Sequence, residues 1–395
     1  MNAPANPTER WLAVGQAAGP DGRAAGRAAA AGALAGPDPK LVVVFCSDRY
    51  DLAELSAGVA EAAGADVPLI GCSTAGEIAT TGPGDAGVVV TALGGPGFAV
   101  ATAAADAGGG RLREAGAEAA ACLTEVERSG KEHRVLLLLT DGLAGDQSEI
   151  VRGAYRVVGA GVPLVGGCAG DDLRMHQTAQ LHNGALLRNA VVAAAIASDA
   201  PLGIGVRHGW RRVGEPMVVT RSDGNRVYAL DDAPALDVYL QRLGAPPAAA
   251  LDAGAFTRFA LTHPLGLSRR SGEEVRFVAG ADFADRSLLC VAQVPQGGLT
   301  WFMEGDDASV LAATDAACRD ALAALDDRPP LGLLAFDCIA RRGVLGEGGI
   351  HTEVGRIADF AGGAPVAGFY TYGEIARTHG TSGFHNQTLV VLAVA

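Results

Sequence analysis

The sequence has few lysines and no long apolar run, and each shortage excludes a class of protein. Lys40 and Lys131 are the only lysines among 395 residues, the formal net charge is −13, and the arginines are scattered singly or in pairs. Nucleic-acid binding needs a concentrated basic surface, which this composition does not provide. The longest apolar stretch, AVVAAAIA from Ala190, is far shorter than a membrane-spanning helix. We expect neither nucleic-acid binding nor membrane insertion.

The chain also lacks the cysteine pairs and signal segments of metal-binding or secreted proteins. Its seven cysteines form no CxxC pair, and several lie in apolar runs where any small apolar side chain would fit. The start, MNAPANPTER, has no basic region followed by an apolar one, so it does not resemble a secretory signal. A match to GxGxxG at Gly82 precedes a strand instead of a helix. We expect reduced thiols, a cytoplasmic protein, and no cofactor or metal.

One short pattern occurs three times in the chain. The copies are VPLIGCSTAGEI from Val67, VPLVGGCAGDDL from Val162 and APVAGFYTYGEI from Ala364. Each runs from a proline through an apolar pair to a glycine and then to a carboxylate. An apolar run ending near an aspartate precedes each copy (LVVVFCSD, LLLLTD and LGLLAFD), and a segment long enough for a helix lies between. Three turns built to one plan predict internal duplication and a pocket that the turns organise.

The order of apolar segments predicts an α/β fold. The unbroken run LVVVF, from Leu41, is typical of a strand covered on both faces, and a helical pattern follows it. Near Pro216 the kind of sequence segment changes, and Asp223-Gly224-Asn225 predicts a β-hairpin. We predict a two-domain α/β protein with mixed β-sheets, flanking helices and internal duplication, divided into residues 1–214 and 215–395.

Two finer predictions concern strand pairing. The strand signals at Gly87 and Phe98 are joined by Gly-Gly-Pro-Gly, which predicts a hairpin. From Ser287 onward, the order of strand and helix signals repeats that of residues 86–197. The second domain is therefore predicted to be a partial copy of the first.

Several segments together resemble the FIST proteins, which have an N-terminal FIST domain and a C-terminal companion domain. The segments are GCSTAGEI, YALDDAPALDVYLQRLG, THPLGL, and GFYTYGEI followed by FHNQTLVVLAVA, and the resemblance extends from about Leu12 to Ala395. It implies an intracellular sensory module that binds a small ligand such as an amino acid and serves signal transduction. Many relatives carry an output segment on the same chain, whereas here the two domains fill all 395 residues. The resemblance therefore implies a signalling partner in trans.

The first turn offers partners for both charges of a small zwitterion. Its glycines, including Gly76, let backbone N–H groups converge, while Ser73 and Thr74 add hydroxyls beside Cys72. Backbone N–H groups bind a carboxylate, and the Glu77 carboxylate can accept from an ammonium. The alternative is structural: the glycines shape the strand exit and Glu77 bonds the local backbone. We predict ligand contacts at Cys72, Ser73, Thr74, Gly76 and Glu77.

The third turn carries more side chains suited to a small-molecule pocket. Tyr370 and Tyr372 provide an apolar wall with hydroxyls, Glu374 takes the glutamate position of the first turn, and His385 and Asn386 follow a short loop later. The alternative is an aromatic pair in the core, with His385 and Asn386 capping the last strand. We predict ligand contacts at all five residues, with the ligand bridging turns one and three across the domain junction.

The middle turn suggests a metal site only weakly. Asp171 and Asp172 are adjacent, and His176 and His182 follow, but no fixed ligand spacing such as HExxH is present. His379 belongs to a second histidine pair that is equally unspecific. We predict no metal and assign the middle turn a structural role.

These features predict a cytoplasmic sensory protein that binds an amino acid or a similar small metabolite. The alternative is a cysteine-dependent hydrolase or transferase, since backbone N–H groups around Cys72 would lower its pKa and form an oxyanion hole. No partner base is identifiable, and Cys168 lies one residue out of register with Cys72. A third possibility, a purely structural interaction module, would bind no small molecule.

Overall fold

Three six-stranded sheets of one design form the body of the molecule, and a fourth sheet of eight strands is attached to them. The computed structural model describes residues 10–269, 272–378 and 383–395. Each six-stranded sheet contains one parallel pair of strands flanked by antiparallel strands. The predicted α/β fold with mixed sheets, flanking helices and internal duplication is confirmed, and the duplication is threefold.

The first unit alternates strands with helices. Its elements are β1 (Trp11–Ala18), α1 (Gly22–Ala33), β2 (Pro39–Ser47), α2 (Leu52–Ala63), β3 (Leu69–Thr74), β4 (Glu77–Ala79), β5 (Gly82–Gly84) and β6 (Gly87–Gly94). Asp21 and Asp51 begin the two helices, because their carboxylates accept backbone N–H groups of the first turn. Both helices pack on one face of β2, and the molecular centre covers the other face. The LVVVF run is therefore buried on both faces, as predicted.

The second unit repeats this order. Its elements are β7 (Phe98–Asp106), α3 (Leu112–Ala120), α4 (Leu123–Glu127), β8 (His133–Thr140), α5 (Gln147–Val158), β9 (Leu164–Cys168), β10 (Gln180–His182), β11 (Ala185–Leu187) and β12 (Ala190–Ser198). The segment of residues 169–179, between β9 and β10, is longer than the matching turns of the other units. This difference places extra residues beside the first unit.

The third unit is interrupted by the fourth sheet. It begins with β13 (Leu202–Arg207), and an inserted part follows. The inserted elements are β14 (Arg211–Asp223), β15 (Arg226–Leu230), β16 (Ala233–Pro234), α6 (Ala235–Arg242), α7 (Ala253–Ala260), β17 (Leu265–Arg269), β18 (Gly272–Arg276), β19 (Val278–Asp282), β20 (Ser287–Cys290) and β21 (Leu299–Glu304). The unit then resumes with α8 (Asp307–Ala323), β22 (Gly332–Cys338), α9 (Ile339–Ala361), β23 (Val366–Thr371), β24 (Glu374–Arg377), β25 (Phe384–His385) and β26 (Leu389–Val394). The predicted hairpin at Gly224-Asn225 is confirmed, since Asp223 pairs with Arg226.

Each unit donates a hairpin to the sheet of another unit. Hairpin β4–β5 pairs with β23 of the third unit, β10–β11 pairs with β3 of the first, and β24–β25 pairs with β9 of the second. The chain then returns to its own sheet through β6, β12 or β26. The three units thus exchange hairpins in a closed cycle. At each repeated turn the chain leaves the sheet of its own unit and enters the sheet of another.

Two predicted strand arrangements are wrong. The strands at Gly87 and Phe98 do not form a hairpin, because β6 is already paired on both edges with β1 and β2. The glycine turn between them passes the chain to the next sheet, where β7 pairs with β12. The strands at Ser287 and Leu299 belong to the inserted sheet, so the third unit begins earlier, at β13. The division into 1–214 and 215–395 stays a prediction.

The inner faces of the three sheets share one apolar core, and the helices cover the outer faces. Phe45 of β2, Phe336 of β22 and Phe369 of β23 meet there with ring centroids 4.8–6.2 Å apart. Such aromatic pairs add about 0.5–1.5 kcal/mol each beyond the area they bury. Packing at the centre therefore joins units that are distant in sequence.

Candidate ligand-binding site

The three repeated turns form a ring of backbone hydrogen bonds at the centre of the molecule. The bonds run from Ala75 N–H to the Tyr370 carbonyl (3.1 Å), from Gly170 N–H to the Ser73 carbonyl (3.0 Å) and from Tyr372 N–H to the Cys168 carbonyl (3.2 Å). Turns one and three lie together, as the ligand hypothesis requires, and the middle turn completes the ring. The ring satisfies backbone groups that would otherwise be buried without partners.

A cavity of about 550 Å³ opens beside this ring. It lies at the carboxyl ends of the parallel strands β2 and β3, the edge of an α/β sheet where ligands bind. The segment between β9 and β10 forms its other side. The lining residues are Asp48, Tyr50, Asp51, Leu52, Ser73, Asp171, Arg174, His176, Gln177, Ala179, Leu186 and Arg188.

Asp48 lines this cavity and has a carboxylate oxygen without a partner. Its Oδ2 forms an ion pair with Arg174, whereas Oδ1 is buried and has no hydrogen-bond partner within residues 10–269, 272–378 and 383–395. Leaving such a group unpaired costs about 1–3 kcal/mol, more when it is charged. A ligand that donates a hydrogen bond here would recover that free energy.

Arg188 is the complementary group in the cavity wall. Its Nη1 donates to the carbonyl of Thr178 at 3.5 Å, and in the described part of the chain it forms no ion pair. Arg174, in contrast, is engaged by Asp48 and donates from Nε to the carbonyl of Asp171 at 3.1 Å. A guanidinium with spare donors suits bidentate binding of a carboxylate.

Asp171 holds the β9–β10 segment in place over the cavity. Its carboxylate accepts the backbone N–H groups of Met175 (2.9 Å), His176 (2.6 Å) and Gln177 (2.9 Å) and the hydroxyl of Tyr372. Burial alone would raise the pKa of Asp171, but these donors outweigh it and hold the pKa below its ordinary value. Tyr372 therefore lies behind the cavity wall and positions it.

The same segment has an unusual backbone. Asp172, Leu173 and Met175 have φ values of 57°, 60° and 52°, in the left-handed region that residues with a Cβ rarely adopt. Each such residue costs roughly 1–2 kcal/mol. Leu173 and Met175 are also 61% exposed. Strained backbone of this kind is concentrated at ligand-binding and switch segments.

Ser73 is the predicted contact of the first turn that lines the cavity. Its hydroxyl donates to the Gly170 carbonyl at 2.8 Å and accepts the Ala179 N–H at 2.9 Å. Thr74 is buried and points its hydroxyl toward Glu77. Gly76, with φ of 118°, adopts a conformation that favours glycine.

Glu77 and Glu374 are buried and bonded within the protein. Glu77 lies 2.6 Å from the Thr74 hydroxyl and accepts the Gly87 N–H at 3.0 Å, and Glu374 accepts the Thr388 N–H at 3.1 Å. Burial raises the pKa of each carboxyl to about 7. Neither lines the 550 Å³ cavity, although Glu77 lines a second cavity of about 320 Å³. Their role as ligand contacts stays a prediction.

The remaining predicted contacts lie elsewhere. Cys72 and Tyr370 are fully buried, and burial raises the pKa of both well above its ordinary value. His385 lines a third cavity, of about 330 Å³, with Nε2 2.9 Å from the Ala376 carbonyl, and burial lowers its pKa. Asn386 is buried beside it in the chain. The ten predicted residues are therefore divided among three cavities and the core.

The metal interpretation of the middle turn gains no support. Among the described residues, no group of three or more histidine, cysteine, aspartate or glutamate side chains is arranged to hold a metal ion. The Asp171 carboxylate is occupied by backbone donors, and His182 lies 3.1 Å from the Thr102 hydroxyl. His379 lies outside the described residues.

Sequence reasoning missed Asp48, Arg174 and Arg188 as candidate contacts. The aspartate that ends LVVVFCSD is the one signal that pointed to Asp48, because ligands bind where parallel strands end. The arginines had no such signal, since they reach the first unit only through the hairpin exchange. A contact set built by exchange between units is not visible as a local motif.

Two known protein families match this chain. Residues 40–233 match the FIST N domain and residues 235–377 match the FIST C domain. The chain belongs to the FIST family. FIST domains are sensory domains for small ligands in signal transduction. The resemblance inferred from the repeated turns is thereby confirmed.

Two mycobacterial proteins are similar to this FIST protein over almost its whole length. Two uncharacterized proteins of Mycobacterium tuberculosis, from strains CDC 1551/Oshkosh and ATCC 25618/H37Rv, are each 27% identical over 391 residues, covering 95% of this chain and 97% of theirs. Among solved structures, cyanuric acid hydrolase from A. caulinodans aligns with a TM-score of 0.26 and 15% identity over 48% of this chain and 71% of its own. That score is too low to support an argument. Within the described residues, no helix has the length and apolarity to cross a membrane.

Proposed function

We propose that this FIST protein senses an amino acid or a similar small zwitterion, which binds in the 550 Å³ cavity. The buried, unpartnered Oδ1 of Asp48 in the cavity wall is the observation that carries the proposal. The cavity volume falls within the range of about 300–1,000 Å³ that is usual for small-molecule sites.

The two charges of the ligand have separate partners. The α-ammonium donates to Oδ1 of Asp48, which lacks a donor in the described structure. The α-carboxylate accepts from the guanidinium of Arg188, which has no carboxylate partner there. Charge-assisted hydrogen bonds of this kind are about twice as strong as neutral ones. The walls formed by Tyr50, Leu52 and Leu186 receive an apolar ligand side chain.

Signalling follows from the way the cavity is assembled. Ser73 comes from the first unit, Arg174 and Arg188 come from the second, and Tyr372 of the third holds the wall through Asp171. A ligand that contacts this wall favours the closed arrangement and shifts the population of states. A partner in trans reads that shift. The cytoplasm is the proposed location, and seven buried cysteines without disulfides are consistent with it.

A calorimetric titration of single amino acids tests the ligand class. The probes are the protein amino acids, their N-acetyl derivatives and the matching amines without a carboxylate. We expect one or more free amino acids to bind, and both kinds of derivative to bind roughly 10- to 100-fold more weakly, because each lacks one charged hydrogen bond. Equal binding of the derivatives would contradict zwitterion recognition.

Substitutions in the cavity wall test whether the ligand binds in the 550 Å³ cavity. Asp48→Asn and Arg188→Gln should each weaken binding roughly 10- to 100-fold. Asp66→Asn is the matched control, since Asp66 is exposed and outside the cavity, and it should bind like the wild type. Wild-type affinity in both cavity variants would move the site elsewhere, to Glu77 or Glu374 as first predicted.

The cysteine-dependent hydrolase or transferase is less well supported. The Cys72 thiol is fully buried, and that burial, together with nearby Cys46 and Cys168, raises its pKa. A nucleophile needs the thiolate form and access to substrate. Slow reaction of the folded protein with iodoacetamide at neutral pH would agree with the sensor proposal.

A further inference from the structure

Glu77, Glu374 and Gln180 occupy one structural position in the three units. Each begins its donated hairpin, and each pairs with the same position of the receiving strand, opposite Phe369, Gly167 and Cys72 respectively. Each side chain accepts the backbone N–H of the strand that returns to its own sheet. Those bonds come from Gly87 (3.0 Å), Thr388 (3.1 Å) and Ala190 (3.3 Å). Two units thus carry a carboxyl group where the third carries an amide.

The second oxygen or nitrogen of each group bonds to a threonine hydroxyl. Oε1 of Glu77 lies 2.6 Å from Oγ1 of Thr74, and Oε1 of Glu374 contacts Thr371 in the same way, each threonine lying three residues before its glutamate. In the second unit, Nε2 of Gln180 donates to Oγ1 of Thr178 at 3.5 Å. The amide therefore acts at this junction as a donor on one side and an acceptor on the other.

Proton counting at Thr74 favours the same arrangement for Glu77. Oγ1 of Thr74 lies 3.2 Å from the Cys46 carbonyl and 2.6 Å from Glu77, yet a hydroxyl has one proton to donate. If Glu77 is a carboxylic acid, its O–H donates to Thr74, and Thr74 donates to Cys46. Both contacts are then satisfied, as they are around the amide of Gln180.

The surroundings of both carboxyl groups offer little to an anion. Glu77 is 2% and Glu374 is 0% exposed. Arg342, a cation near Glu77, is paired with Asp85, and Cys46 and Tyr50 are further titratable neighbours.

Glu374 pairs across the strands with His385, whose pKa burial lowers, and it has three acidic side chains as neighbours. They are Cys338, Asp337 and Cys168. The hydroxyl and N–H of Thr388 donate to Oε2 of Glu374, and the Thr371 hydroxyl lies against Oε1. A buried carboxyl group without a cation is favoured in its neutral form.

We propose that Glu77 and Glu374 are neutral carboxylic acids that hold the donated hairpins β4–β5 and β24–β25 to the strands that return to their own sheets. Each gives up its proton when its hairpin separates from the returning strand. We call such a group a latch. This inference does not depend on the proposed ligand. The second unit then has a permanent version of the latch, because Gln180 bonds to the returning strand and to the hydroxyl of a different threonine, Thr178, without a titratable proton.

The raised pKa values of Glu77 and Glu374 fix the direction in which the stability of the protein changes with pH. Burial raises the pKa of both carboxyls from 4.5 to about 7. Below pH 4.5 the two carboxyl groups are protonated in both the folded and the unfolded chain, and their contribution to the stability of the folded state is complete. Between pH 4.5 and about pH 7 the unfolded chain ionises first, so the stability of the folded state falls. The folding equilibrium constant decreases by roughly 10²-fold per site, and the decrease levels off above about pH 7.

An NMR titration of the wild-type protein, labelled with ¹³C at the glutamate side-chain carboxyl, tests the proposal without a variant. Two resonances should titrate with midpoints near 7, one of them absent in Glu77→Gln and the other in Glu374→Gln. If every glutamate resonance titrates near the ordinary value of 4.5, the proposal is overturned.

Chemical denaturation as a function of pH provides the second measurement. The Glu77→Gln/Glu374→Gln double variant should lose most of the fall in unfolding midpoint between pH 4.5 and 7, because the amide copies the neutral acid. Glu132→Gln, at an exposed site, is the control and should keep the wild-type slope. A double variant with the full wild-type slope would also overturn the proposal. If the double variant does not fold, each single variant is compared in the same way.

Discussion

Three aspartates lie at the ends of the three buried apolar strands, and the structure gives each a different task. Asp48 lines the cavity and has an unpartnered oxygen, whereas Asp141 accepts the N–H groups of Leu143 and Asn189, both at 2.9 Å. Asp337 accepts from Nε of Arg341 at 2.7 Å inside the core. The sequence pattern predicted that an acidic group ends each strand. It did not predict the task, because that depends on which unit supplies the neighbouring side chains.

The buried charges around Arg341 lead to a prediction at this scale. Arg341 is fully buried between Asp337 and Glu353, so Arg341→Gln leaves two carboxylates without their cation. We expect a loss of about 3–5 kcal/mol in the free energy of unfolding, measured by equilibrium urea denaturation. Arg356→Gln is the control, because Arg356 lies in the same helix but its ion pair with Asp315 is partly exposed, with an expected loss below about 1 kcal/mol. Equal losses in the two variants would contradict this assignment.

Among the elements, the repeated pattern is explained by the approach of two parallel strands. A Cβ added at Gly71, Gly166 or Gly368 would lie 2.6, 1.9 or 1.9 Å from a carbonyl oxygen of the neighbouring parallel strand. The glycine after each proline and apolar pair is thus required by packing. The pattern identified the strands correctly, but it is a mark of the fold and not by itself of a ligand site.

This packing predicts a strong effect of one methyl group. Gly368→Ala places Cβ against the Ala335 carbonyl, so β22 and β23 must separate, with a loss of about 1–3 kcal/mol or more. Gly355→Ala, in an open position of α9, should instead stabilise the protein by up to about 1 kcal/mol. Calorimetric melting temperatures of the two variants, moving in opposite directions, check the prediction. A small change in Gly368→Ala would mean that the strands adjust easily.

The sequence predicted the long elements well and their pairing poorly. The run LVVVF was predicted as a strand covered on both faces, and it lies in β2, which is buried on both faces. Hairpin β4–β5 has strands of three residues each, too short to give a periodic signal. Because these short hairpins carry the exchange between units, neither the ring of turns nor the cavity beside it was predictable from local patterns.

For the whole molecule, the exchange means that no unit completes its own sheet. The first unit depends on β10–β11, the second on β24–β25 and the third on β4–β5. Under the proposed function, a ligand in the cavity of the first unit would contact a segment fixed by the second and third. The units cannot move independently without breaking strand pairs, so we expect such a contact to affect all three units.

The exchange also predicts how the chain responds to division. A fragment of residues 1–214 retains β4, β9 and β13 but loses their partners β23, β24 and β26, which all lie in residues 215–395. Because exposed strand edges and apolar faces are then left uncovered, we expect neither fragment to show a cooperative thermal transition alone. Co-expression of both fragments should restore a complex with one transition, since all strand pairs reform across the break. Calorimetry of each fragment and of the co-purified pair makes the comparison, with the intact chain as control. A cooperative transition of residues 1–214 alone, near the melting temperature of the intact chain, would show that the hairpin exchange contributes little to the cohesion of the units.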